Sequence, residues 1–121
     1  MAVLLAAALL LPGTHGFEFG RTGGNIRPFT VTISATGVVR TSGAAPNHIA
    51  LVSKHQLTVL AGIALAVRFS TIPAVTACPN TLPDVAAQLI RVEGRTVRVH
   101  GACLKRFNRL WTALNRAVAN K

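Results

Sequence analysis

The chain has 121 residues, one domain's worth, and half of them are hydrophobic, which excludes a disordered chain. Thirteen Lys and Arg stand against three Asp and Glu, a formal net charge of +10 at pH 7. So few acids leave little material for paired-carboxylate chemistry. So large a positive excess draws a protein to anionic surfaces without conferring specificity.

The first sixteen residues, MAVLLAAALLLPGTHG, differ from the rest. Ala2 to Leu11 is an unbroken apolar run of the length of a signal-peptide core. It is shorter than the roughly 20 residues a bilayer span needs. Pro12 and Gly13 end it, and Thr14 and Gly16 are small residues at the −3 and −1 positions of a cut before Phe17. No Lys or Arg precedes the run. The expectation is a removable leader, residues 1–16, ahead of one small α+β domain, residues 17–121, in a secreted, extracellular protein. A buried N-terminal helix is the alternative. No later stretch is apolar enough to span a membrane once the leader is gone.

FEFGRTGG (17–24) reads as a short strand running into a Gly-Gly turn. PFTVTISATG (28–37) has the cleanest period of two, with Phe29, Val31 and Ile33 on one side and Thr30, Thr32 and Ser34 on the other. VVRTS (38–42) is a third strand of the same meander, and GAAPNH (43–48) is a loop. IALV (49–52) is ambiguous. Ser53 with Gln56 fits a capping box, and Leu57, Leu60, Ile63, Ala64 and Val67 recur at helical spacing, giving a helix from about Lys54 to Arg68.

Residues 70–84 carry three prolines and no period, so an irregular segment is expected. VAAQLIRV (85–92), Glu93-Gly94 and RTVRVHG (95–101) form a hairpin, with Val97 and Val99 on its buried face. In LKRFNRLWTALNRAV (104–118), Leu104, Phe107, Leu110, Trp111, Leu114 and Val118 make a buried helical stripe. The sum is an antiparallel sheet, an N-terminal meander plus a C-terminal hairpin, with two helices packed on one face.

The two cysteines, Cys78 and Cys103, bracket the hairpin. Two lone cysteines outside the cytoplasm normally pair. The bridge would pin the Pro-rich segment to the strand–helix junction and contribute about 3.5 kcal/mol by loop closure. A metal site recruiting His55 or His100 is the competing reading, but the spacing is not that of a zinc finger or ribbon. His48, His55 and His100 are scattered, and no nucleophile elbow, metalloprotease motif or phosphate loop is present. The reading is a non-enzymatic protein, with no cofactor, resident metal or small-molecule substrate expected. From Arg91 to Lys121 there are eight Lys and Arg and one acid. Lys105, Arg106, Arg109 and Arg116 therefore form a candidate surface for nucleic acid, a cell-wall polymer or membrane headgroups.

The order of pieces resembles the emfourin-like family. FEFGRTGG opens a meander, a Ser-capped helix follows, then TLPD, a hairpin ending in TVRV and an amphipathic terminal helix. The resemblance covers most of Phe17 to Val118, and its most specific piece is the turn Arg21-Thr22-Gly23-Gly24. It implies a small α+β fold and, from the family's named member, inhibition of a thermolysin-type metalloprotease. The expected leader, the cysteine pair and the strong basicity depart from it. If a secreted protease is bound, the candidate contact residues are Arg21, Gly23, Gly24, Asn25, Ile26 and Arg27, running to Pro28, with the pinned loop Pro79 to Pro83 beside them.

Overall fold

The computed structural model of the protein describes residues 16–120. The expected leader lies outside the described residues, apart from its last glycine. The elements in chain order are β1 (Phe17–Thr22), β2 (Phe29–Ile33), β3 (Val39–Gly43), α1 (Lys54–Ala66), a 3-10 turn (Phe69–Thr71), β4 (Val75–Ala77), β5 (Ala87–Val92), β6 (Arg95–His100) and α2 (Lys105–Val118). The six strands form one sheet in the order β3-β2-β1-β5-β6-β4, an α+β architecture.

Side-chain alternation decides the sheet's two faces. Phe19 lies opposite Val31 on β2 and Ile90 on β5, and Val97 faces Ile90 from β6. All four are fully buried. Their chain neighbours Glu18, Thr32, Arg91 and Thr96 occupy the opposite face, which no helix covers, and three of these four are exposed. The helix-side face closes on α2 through Phe107, Leu110 and Leu114. Trp111 meets Phe19 edge-on, with centroids 5.8 Å apart at 84°, and stacks on Phe107 at 6.3 Å. Burying each such side chain stabilises the fold by about 1.5–3 kcal/mol.

Local chemistry sets the turns and caps. Glu93 and Gly94 both adopt positive φ, 51° and 81°, as the mirror-image hairpin turn requires. Ser53 caps α1, its hydroxyl accepting the Gln56 N–H at 3.1 Å. The helix stops at Ala66, short of the expected Arg68, because Arg68 takes a left-handed φ of 51°. Carbonyls of Val67 and Arg68 then accept from Nη1 of Arg106 at 3.1 and 3.4 Å, and the same nitrogen donates to Thr71 Oγ1 at 2.8 Å. That guanidinium supplies the cations a helix C-terminus favours.

Two expectations change. The segment 70–84 is not wholly irregular: it contains the 3-10 turn's end and β4. β4 pairs with β6 in parallel, so the sheet is not purely antiparallel. The three residues of β4 are too few to show a period, and the nearby prolines Pro73 and Pro79 are tolerated because β4 is an edge strand. The ambiguous segment 49–52 is neither strand nor helix, with one isolated bridge from Leu51 to Val38. It covers part of the β3 edge, with Val39 N–H donating to Ala50 O at 2.9 Å and Val52 N–H to Gly37 O at 2.8 Å.

Cys78 and Cys103 are joined by a disulfide, with Cα atoms 5.7 Å apart and a sequence separation of 25. Replacing both cysteines with Ala is expected to lower unfolding stability by about 3.5 kcal/mol, read from urea denaturation. Phe107→Ala is expected to lower it by about 3–5 kcal/mol in the same assay.

Candidate functional site

Two loops meet at the end of the sheet where β1 stops and β5 starts. The first follows β1 (residues 23–28) and the second connects β4 to β5 (residues 78–86). Gly24 has a φ of +63°, and a Cβ there would fall 2.5 Å from the Asp84 carbonyl oxygen and 2.6 Å from the Ala86 nitrogen. The backbones touch at this point, and only glycine allows it. Next to it, the Asn25 N–H donates to Asp84 O at 3.0 Å, and Asn25 Nδ2 donates to the Asp84 carboxylate at 3.4 Å. Asp84 thus ties one loop to the other.

The second loop is pinned at three further points. The disulfide fixes its start. Thr81 Oγ1 donates to Cys78 O at 2.9 Å. His100, at the end of β6, donates from Nε2 to Val85 O at 2.8 Å. Gly101 has a φ of +114°, and a Cβ there would lie 2.5 Å from that of Cys78, so a glycine must follow His100 for the disulfide to fit.

Ile26, Leu82 and Val85 project from these joined loops with 39%, 64% and 44% of their surface exposed. A depression of about 360 Å³ lies beside them, with Leu82, Val85, Gln88 and Ala102 in its wall. Gly23, Asn25 and Arg27 are also exposed on this rim. The arrangement holds apolar side chains in water on a braced frame, flanked by polar groups. That is the layout of a contact surface.

The structure divides the remaining candidate residues. Arg21 is not on the rim. It alternates with Phe17 and Phe19 and points to the helix side, its guanidinium 5.4 Å from the Trp111 ring centroid. There it contributes a cation–π contact to the β1–α2 packing. Arg106 is likewise drawn off the basic face, because its Nη1 caps α1. Lys105, Arg109 and Arg116 do share a surface, lining an open groove of about 510 Å³ between α1 and α2 with Ile63, Asn108 and Thr112. The metal reading at the cysteines is closed, since both sulfurs are in the disulfide. His48 donates from Nδ1 to Ile49 O at 3.0 Å, and His55 is exposed on α1.

Asp84 and Val85 are additions to the expected contact set. The TLPD turn marks Asp84 as a turn residue, but nothing local shows that its partner is Asn25, 59 residues away. For Arg21 a signal does exist: its period-two register with Phe17 and Phe19 places it inward.

No protein-family model, no curated protein and no solved structure matches the chain significantly. The resemblance to the emfourin-like family therefore rests on the short pieces of this sequence alone.

Gly24→Ala is expected to separate the two loops. Stability should fall by more than about 1 kcal/mol, and the Asn25 amide should lose its hydrogen-exchange protection while amides of β1 and β5 keep theirs.

Proposed function

We propose that the chain is a secreted, non-enzymatic binding protein whose protein partner docks on the joined loops, and that this partner is an extracellular thermolysin-like metalloprotease, which it inhibits. The reading is carried by the brace between Asn25 and Asp84, whose chain neighbours Ile26 and Val85 are exposed on the same joined loops as Leu82. A surface fixed before docking loses little conformational entropy on binding, so modest contacts yield affinity. The disulfide and the apolar leader agree with work outside the cell. The protease class is supported by the emfourin-like order of elements.

The test is inhibition of purified thermolysin-like enzymes by the 121-residue chain. Leu82→Asp and Ile26→Asp, both at exposed positions, should leave the unfolding curve in place. Each is expected to weaken binding by about 2 kcal/mol, roughly thirtyfold. Absence of both inhibition and binding across several such enzymes removes the protease from the reading. Unchanged affinity in both variants removes the loops.

The groove between α1 and α2 favours a second reading, an anion-binding role on nucleic acid, cell-wall polymer or membrane headgroups. Three cations converge there without acidic neighbours in the groove wall. Three phosphate contacts predict that log K falls with log salt with a slope of about −2 to −3. A Lys105→Gln, Arg109→Gln, Arg116→Gln variant should flatten that slope. Binding that ignores salt, measured by fluorescence anisotropy with a labelled duplex, argues against this role.

A further inference from the structure

A second cavity lies at the opposite end of the sheet from the joined loops, and its chemistry differs from both surfaces above. It has a volume of about 480 Å³ and opens between the C-terminal half of α1 and the β5–β6 hairpin. That is within the range of about 300–1,000 Å³ found for small-molecule sites. Phe17, Ala61, Ala64, Leu65, Phe69 and Val92 supply its apolar wall. Phe17, Ala61, Ala64 and Phe69 are buried, whereas Leu65 stands at the mouth 67% exposed.

Two guanidinium groups, Arg68 and Arg95, also line this cavity, with Glu93 as the opposing charge. Arg95 donates from Nη2 to the Ile72 carbonyl, but its Nε is buried and finds no acceptor among the described residues. Arg68 takes the left-handed φ of 51° that ends α1, and there its side chain reaches the cavity wall. The carbonyls at the end of α1 would repel an anion. Arg106 offsets them, since its positively charged guanidinium donates from Nη1 to Val67 O and Arg68 O.

We propose that this cavity binds a free fatty carboxylate as a monomer. The aliphatic tail lies against Phe17, Ala64, Phe69 and Val92, and the carboxylate sits between the side chains of Arg68 and Arg95 at the polar end of the cavity. A purely apolar ligand would leave the two guanidinium groups without a counter-charge, and an inorganic anion would leave the apolar wall wet. The site is independent of the loop surface and of any protease.

The test is calorimetric titration of the full chain with decanoate below its micellar concentration, with 1-decanol as the neutral probe. Decanoate is expected to bind at least tenfold more tightly than 1-decanol. Arg68→Gly relieves the positive φ, so it should keep or raise the melting temperature yet weaken decanoate at least tenfold. Ala64→Trp fills the cavity and should abolish binding, whereas Leu82→Asp on the loops should bind decanoate normally. No heat with decanoate, equal binding of 1-decanol, or unchanged affinity in Arg68→Gly or Ala64→Trp overturns the proposal. So does loss of decanoate binding in the Lys105, Arg109, Arg116 triple variant, which would place the anion on α2 instead.

Discussion

The covalent bond between Cys78 and Cys103 fastens the loop leaving β4 to the start of α2. Around it, Thr81 bonds back to the Cys78 carbonyl, His100 holds Val85, and Gly101 leaves room for the sulfurs. Without this anchor the β4–β5 connection would be a long loop with two prolines and no packed core of its own. With it, Asp84 is placed where Asn25 can reach it, and the loop after β1 becomes ordered in turn. The exposed face of the joined loops is thus secondary to a cross-link on the far side of the same loop. Loop closure restricts the unfolded chain as well as the folded one, so the bond contributes to stability and to preorganisation together.

Positive charge is used in two ways in this molecule. Some arginines are structural. Arg21 lies over Trp111, Arg95 reaches the Ile72 carbonyl, and Arg106 caps α1. A guanidinium suits such posts because its planar fork and weak hydration tolerate partial burial. Others, such as Lys105, Arg109 and Arg116, line a groove in water. Net charge alone therefore overstates the basic surface available to a polyanion.

Much of the architecture was legible in the sequence because it is written at short range. The period of two in FTVTI, the Glu-Gly turn between two apolar runs and the helical stripe ending in Trp111, Leu114 and Val118 each correspond to an observed element. The cysteine pairing followed from there being two. β4 was not legible, because its three residues take their strand character from β6 and not from their own pattern. The site was legible only in part. Gly24 to Arg27 and Leu82 lie where the two loops were expected to be exposed, but their union depends on a contact spanning 59 residues. The diversion of Arg106 depends on where α1 happens to end, which a left-handed residue at Arg68 decides.

β1 lies in the interior of the sheet, with β2 on one side and β5 on the other. Phe17, at its start, is paired with both Ile33 and Val92. Gly16 before it is buried, and a Cβ there would strike the Ile33 carbonyl. A peptidase needs several residues of extended, accessible chain to cut a peptide bond. The bond joining Gly16 to Phe17 offers that access while the polypeptide is still unfolded. Once β5 closes over β1, the bond is shut in. If residues 1–16 are a leader cut at this bond, the cut must therefore precede folding.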